Sequence, residues 1–234
     1  MILPTSRVLA LVIPALNEAA TIQRVVASAS QYGQVIVVDD GSSDDTAALA
    51  QAAGAIVVRH AVNQGYDQAL ASGLQGALEQ GFAFAITLDA DGQHRADAIA
   101  LALARLQAGA DLVVGRRDRL QRISETVFSL VGRVLWGVHD PLCGLKGYRL
   151  SCLAQLQALR SYESVGTELT VLAARSGWRI AQIPVATVRR VGASKFGSGW
   201  RANRIIFRAL LSGLTTRRRS PASPGAGPAQ RRPL

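Results

Sequence analysis

Short, almost wholly apolar runs recur through the first half of this chain, and helix-patterned segments separate them. VLALVIP (8–14), VIVVDD (35–40), AIVVRH (55–60), FAFAITLD (82–89) and DLVVGRR (111–117) read as strands. Between them, NEAATIQRVVASASQ (17–31), SSDDTAALAQAAG (42–54), GYDQALASGLQGALEQG (65–81) and RADAIALALARLQAG (95–109) carry helical spacing. Strands without polar alternation are covered on both faces, and an intervening helix is what a parallel crossover needs. The pattern therefore predicts an α/β fold, a mostly parallel sheet with helices on both faces, in a single domain. Asp39, Asp40, Asp89 and Asp91 then fall at the carboxyl ends of strands, the edge along which open α/β sheets bind ligands.

Beyond Arg117 the pattern changes. Residues 118–138 read as an amphipathic helix with Ile123, Val127, Leu130, Val131 and Val134 on its apolar face. HDPLCGLKGYR (139–149) reads as a glycine-containing turn region, LTVLAARSG (169–177) as helix, and WRIAQIPVATVRR (178–190) as one or two strands. Over 198–214 a helical wheel separates Trp200, Ile206, Phe207, Leu210, Leu211 and Leu214 from Arg201, Arg204 and Arg208. The segment 215–234 is rich in Pro, Gly and Arg and is expected to be disordered.

The most chemically informative stretch is Thr87-Leu88-Asp89-Ala90-Asp91-Gly92-Gln93. Two carboxylates flanking one residue at a strand's end can direct oxygens at one hard divalent ion, Mg²⁺ or Mn²⁺, with Gln93 a neutral oxygen nearby. An ion held by so few side chains commonly takes its other ligands from a diphosphate. The bland alternative is an Asp-rich turn that caps a strand.

Charge is distributed unevenly. Residues 1–168 hold 13 basic and 16 acidic side chains, whereas 169–234 hold 13 basic and none acidic, so the formal +10 resides in the C-terminal part. That asymmetry points to a polyanionic partner, an anionic membrane surface or nucleic acid. Nucleic acid is the poorer match, because the tail lacks interleaved aromatics and no recognition motif accompanies it. Cys143 and Cys152 form neither a CxxC nor a disulfide framework, which fits a reducing compartment. Pro4 and Pro14 interrupt the first apolar stretch, so no signal peptide is expected, and with no 18 apolar residues in a row no membrane span is expected either.

Read in order, VIPALNEAATI, VIVVDDGSSDDT, LDADGQH, DPLCGLKGYR and the ASK of VGASKFG resemble the family 2 glycosyltransferases of GT-A (Rossmann-like) fold. Within them the chain is most similar to the dolichol-phosphate mannosyltransferase branch and its polyprenyl-phosphate relatives. The resemblance covers roughly residues 8–200. It implies a glycosyltransferase domain over 1–197; the wheel and charge make 198–214 a basic amphipathic helix, either membrane-interfacial or with Trp200, Phe207 and Leu210 packed on the core, followed by the tail 215–234. It also implies that Pro14, Leu16 and Glu18 line the nucleobase and ribose side, that Asp40 contacts the nucleotide, and that Val38 offers backbone only. Asp39 could equally be a solvated strand-end charge. Asp89 and Asp91 would be the metal pair of the DxD motif, with Ala90 against the donor and Gln93 near the ion. His94 beside them is either a neighbouring neutral ring or a ligand. Arg117 would stand near the phosphates, one sequence leaving the choice between it and Arg116 open. Arg189 and Lys195 would close over the diphosphate, and Lys146 and Arg149 would face the acceptor phosphate. The segment 63–73 departs from the family: Gly65 is kept, but Tyr66, Asp67 and Gln68 replace the usual small or basic residues. That departure bears on the donor sugar.

These readings predict a metal-dependent, inverting transferase that moves a hexose from a GDP-mannose or UDP-glucose type donor to a polyprenyl monophosphate. Asp91, Arg117, Lys146 and Arg149 would do the catalytic work, with the enzyme peripheral on the cytoplasmic face of the membrane. A phosphate acceptor is already anionic at neutral pH and needs no general base. The alternatives are transfer to a saccharide hydroxyl, with Glu163 or Glu168 as base, and an inactive nucleotide-sugar binder.

Overall fold

The computed structural model describes residues 8–91, 96–118, 123–155 and 165–186. Gln93, His94, Glu163, Arg189, Lys195, the 198–214 segment and the tail lie outside the described residues. The elements run β1 (Leu9–Ala15), α1 (Ile22–Ser30), β2 (Gln34–Asp39), α2 (Thr46–Ala52), β3 (Ile56–Arg59), α3 (Tyr66–Glu79), β4 (Phe84–Thr87), α4 (Ala96–Gln107), β5 (Leu112–Arg117), α5 (Ile123–Trp136), β6 (Lys146–Arg149), α6 (Leu150–Gln155), α7 (Val165–Arg175) and β7 (Ile180–Val185).

The seven strands form one sheet in the order β3-β2-β1-β4-β6-β5-β7. All pairs are parallel except those of β6, which runs against both β4 and β5. Side chains alternate between two cores. Leu9, Leu11 and Ile13 of β1 pack with α1, α2 and α4, whereas Ala10 and Val12 pack with α3, α6 and α7. Both faces being covered explains why the strands carry no polar alternation. From β1 the chain winds outward through β2 to β3, then returns to place β4 on β1's other side. The β1/β4 boundary is therefore the point where crossovers diverge and leave a crevice above the carboxyl ends.

Three sequence expectations change. Helix α1 starts at Ile22 rather than Asn17, because residues 17–21 are pulled into the loop after β1 and Asn17 takes a left-handed φ of 53°. The expected 139–149 turn region ends in a strand, β6, whose four residues include Gly147 and are too few to show a period. Much of the apolar stripe read over 118–138 is turned outward: Val127, Leu130 and Val134 are exposed, Leu130 at 63% and Val134 at 73%, and Val131 is half-buried, while Phe128, about 100° round the helix from Val127, is buried.

Helix α3 lies hard against β1 and β2. A Cβ added at Gly73 would sit 2.3 Å from Val12 Cγ1 and 3.0 Å from Val38 Cγ2. One turn on, a Cβ at Gly76 would meet nothing within 4 Å. Gly73→Ala is expected to destabilise by about 1–3 kcal/mol through overpacking. Gly76→Ala in the same helix should stabilise by roughly 0.5–1 kcal/mol. Urea unfolding of the two variants should move the midpoint in opposite directions.

Candidate active site

The loops that follow β1 and β2 are laced together at the carboxyl edge. Asn17 N donates to Ser42 Oγ at 2.9 Å, and Ser43 N donates back to Asn17 Oδ1 at 2.9 Å. Glu18 N donates to Thr46 Oγ1 at 2.8 Å, and Ala19 N to Asp44 Oδ2 at 3.2 Å. Pro14 is buried in β1 opposite Val38, while Leu16 and Glu18 are half-buried beyond the strand's end. Gly41, Ser42, Arg59, His60 and Ala61 line an open hollow of about 380 Å³ beside these loops.

The two aspartates that end VIVVDD do different jobs. Asp40 accepts from Gln64 N at 2.9 Å and Gly65 N at 2.8 Å, and its Oδ1 lies 2.7 Å from His60 Nδ1. His60 Nε2 stands 3.0 Å from Ser72 Oγ, so a ring that donates to Asp40 accepts from Ser72. Asp40 is thus occupied in holding the 60–65 loop. Asp39 is fully buried, and its Oδ2 accepts no hydrogen bond, although Arg59 Nε approaches to 3.2 Å as an off-line ion pair. Asp39 Oδ1 accepts from Ser42 N at 3.1 Å, which leaves Oδ2 as the carboxylate oxygen at this edge with acceptor capacity to spare.

Across the crevice, Leu88, Ala90 and Asp91 are buried and Asp89 is half-buried. Tyr66, the first residue of α3, donates its hydroxyl to Asp89 Oδ1 at 3.2 Å. Burial, and then the Asp89 charge, hold that phenol well above the ordinary tyrosine range. On the carboxylate's other side the chain passes so close that a Cβ at Gly144 would lie 2.3 Å from Asp89 Oδ2. Any side chain there would push the Asp89 carboxylate out of its place.

Lys146 opens β6 opposite Thr87, so the antiparallel direction delivers it to the same edge. It is 3% exposed, and its Nζ donates to Cys143 O at 2.5 Å. Burial pulls its pKa down, while Cys143, Asp140 and Asp89 oppose that shift. The Cys143 thiol is pushed by burial up to about 12 and is no nucleophile at neutral pH. Arg117 ends β5 and forks onto Asp140, Nε to Oδ2 at 2.7 Å and Nη2 to Oδ1 at 3.0 Å, with Glu125 Oε2 3.5 Å from Nη1. Burial works against this guanidinium, but the Asp140 hydrogen bonds raise its pKa overall. Arg116 beside it is exposed, whereas Arg117 is half-buried against the edge.

Val38 and Arg149 lie on either side of the sequence expectation, the first where only its backbone could serve and the second at the far edge. Val38 lies inside the sheet ladder with its side chain under α3. Arg149 stands at the far end of β6 opposite Phe84, about 10 Å along the strand from Lys146 at ~3.3 Å per residue. There it donates to Leu106 O and Ala110 O, lies 3.5 Å from Asp111, and stacks over Phe84. It cannot face an acceptor at the opposite edge. Conversely, sequence reasoning gave no role to Asp140 or His60 and treated Tyr66 only as a departure. Asp140 sits in the DPLCG string, next to a proline and four residues before a glycine, a signal that marks a tight turn without revealing its partner.

The sequence profile for glycosyl transferase family 2 matches residues 10–127. The chain belongs to glycosyltransferase family 2. Polyprenol monophosphomannose synthase of Mycolicibacterium smegmatis is 29% identical over 242 residues, covering 92% of this chain and 89% of that protein. The UDP-N-acetylglucosamine–dolichyl-phosphate N-acetylglucosaminyltransferase of Methanococcus voltae is 29% identical over 214 residues, covering 76% of this chain and 84% of that protein. Such relatives put the chain in the polyprenyl-phosphate glycosyltransferase branch. Among solved structures, glucosyl-3-phosphoglycerate synthase of Mycobacterium tuberculosis, in complex with Mn²⁺, UDP and glucosyl-3-phosphoglycerate, superposes with a TM-score of 0.73. It is 26% identical, over 93% of this chain and 82% of that one.

The donor set of this family 2 site fits a hard divalent cation. Asp89 and Asp91 offer anionic oxygens at a strand end, and the Cβ-less Gly144 leaves room for the Asp89 carboxylate. Among the described residues no cluster of three or more His, Cys, Asp or Glu completes a cage, so an ion held here would take most of its ligands from elsewhere. The displaced Arg149 gives a test. Arg149→Met leaves Leu106 O and Ala110 O without a donor and should cost about 1–3 kcal/mol of stability. Turnover per folded molecule is expected to stay at the wild-type value, as measured by initial rates normalised to active protein.

Proposed function

We propose that this protein transfers a sugar from a nucleoside-diphosphate donor to a polyprenyl monophosphate at a membrane surface, with inversion at the anomeric carbon. The observation that carries the reading is the pair of relatives whose names differ in the sugar but share a polyprenol-type acceptor, each aligned over most of its length. The donor's sugar is of the mannose or N-acetylglucosamine kind that these relatives carry. On this reading Asp39 takes a ribose or base donor hydrogen at the β2 edge once Arg59 gives way. Asp89 and Asp91 hold Mg²⁺ or Mn²⁺, with Gln93, and the chain's late Arg189 and Lys195 close over the diphosphate. A cation bound there would neutralise charge that grows on the departing diphosphate.

The protein's own groups supply the rest. A phosphate monoester is anionic near pH 7, so the acceptor arrives as a nucleophile. Its approach to a diphosphate sugar is opposed by like charge, which Lys146 beneath the Asp89 notch and Arg117 beside it would screen. Asp140 and Glu125 keep Arg117's guanidinium aimed along the edge rather than into solvent. Glu168, half-buried on α7, sits two residues from Gly166, where a Cβ would lie 3.7 Å from Lys146 Nζ. A base is not required of it.

A lipid acceptor requires membrane docking. No helix among the described residues is long and apolar enough to cross a bilayer. The outward apolar stripe of α5 starts close to Arg117, and the basic excess after residue 168 adds attraction to an anionic leaflet, roughly 1 kcal/mol per residue near the surface. A second reading, transfer to a small phosphorylated acid, is favoured by the likeness to glucosyl-3-phosphoglycerate synthase.

Product analysis with polyprenyl phosphate and 3-phosphoglycerate, each offered with UDP- and GDP-sugars, separates the readings; a product only with the soluble acid would overturn the first. Asp91→Ala is expected to lower transfer by at least about 100-fold, equivalent to several kcal/mol of lost charge stabilisation, with an unchanged circular-dichroism spectrum. Full activity in excess chelator would remove the metal from the account. In vesicle co-sedimentation, Leu130→Glu with Val134→Glu should release the protein from anionic liposomes, as should truncation at residue 197. Binding that is unchanged by both changes would refute the docking surface.

A further inference from the structure

We propose that Tyr66 is a positioning residue for the divalent cation: its neutral phenol fixes the Asp89 carboxylate in the orientation that meets the ion. The inference rests on the reading of Asp89 and Asp91 as cation ligands. Its basis is the hydrogen bond by which Tyr66, at the tip of α3, reaches Asp89 Oδ1 at 3.2 Å across the crevice.

The phenol is itself held from behind. Gly65, with a φ of 94°, precedes it as the N-cap of α3, and Gly65 N is fixed by Asp40 Oδ2 at 2.8 Å and Asn63 Oδ1 at 2.9 Å. Ala69 N closes the first turn on Gly65 O at 3.0 Å. The direction of the Tyr66 side chain is thus set by the loop that Asp40 and His60 organise. Asp89 in turn takes the hydroxyl on Oδ1 and has its whole carboxyl group packed over Gly144, where a Cβ would come within 2.8 Å of both oxygens. A carboxylate so confined loses little rotamer freedom when it takes a metal, which is how outer hydrogen-bond partners raise affinity.

The chemistry of the donor matters as much as its place. A basic side chain at 66 would put a second cation beside Asp89, where Lys146 already contributes one, and would compete with the ion for the carboxylate charge. A phenol, with an ordinary pKa near 10, orients the same oxygen while carrying no charge at neutral pH. Tyr66 therefore orders the ligand without discharging it.

Mn²⁺ titration of the full chain, followed by the electron paramagnetic resonance of free Mn²⁺, tests this without turnover. UDP or GDP, whichever raises the wild-type melting temperature more, is held saturating. Tyr66→Phe is expected to weaken Mn²⁺ binding by about 10-fold or more, with nucleotide binding in chelator unchanged and the melting temperature near wild type. Tyr66→Met, which also lacks the donor, should match it if the Phe variant proves unstable. Tyr148→Phe is the control: that buried phenol has no hydrogen-bond partner among the described residues, and its loss should leave the isotherm alone. Wild-type Mn²⁺ affinity in Tyr66→Phe would overturn the proposal, and so would an equal loss in Tyr148→Phe. If wild-type protein takes up no Mn²⁺, or Asp89→Asn binds it normally, the metal reading itself falls and this inference falls with it.

Discussion

Strand β6 runs against its two neighbours, with Lys146 facing Thr87 and Arg149 facing Phe84. In a sheet whose other strands are parallel, this reversal decides which residues meet at the ligand edge. A parallel strand exposes its last residue there; β6 exposes its first. The turn that feeds it therefore arrives at the same edge, bringing Asp140 to Arg117, Gly144 to Asp89 and Lys146 between them. Without that polarity the acidic pair would face only its own strand.

The resulting site balances charges at close quarters. Lys146 is nearly inaccessible, and a lone buried ammonium would be costly. Asp89, Asp140 and the Cys143 carbonyl compensate it. Arg117 is compensated by Asp140 and Glu125. A ligand that is itself anionic on one part and metal-bound on another can enter such an array without inverting its net charge. That is what a nucleoside diphosphate and a phosphate acceptor require.

Much of the fold was legible because its signal is repetitive. Five apolar runs and four helical segments in alternation left little freedom, and the carboxyl-end positions of Asp39, Asp40, Asp89 and Asp91 followed directly. The losses fell where local pattern does not encode direction or face. Four residues with a glycine cannot announce a strand, so β6's reversal and Arg149's removal to the far edge were invisible. Periodicity identified the apolar stripe of α5 but not that Phe128, about 100° round the helix from Val127, packs inward. Between adjacent aspartates, sequence resemblance favoured Asp40 without showing that Gln64, Gly65 and His60 also engage it in holding the loop. Tyr66 looked like an anomaly until the fold brought it to Asp89.

The contact between Gly73 and Val12 ties these parts together mechanically. Helix α3 carries Tyr66 at its tip and is seated on β1 seven residues later, a span of about 10 Å at ~1.5 Å per residue. β1 ends at the loop on the opposite bank of the crevice. The helix is consequently a strut between the interior and the acidic notch, its seat on β1 and its tip on Asp89. Small volume changes at the seat would therefore surface first as altered ligand capture, well before the globule itself came apart.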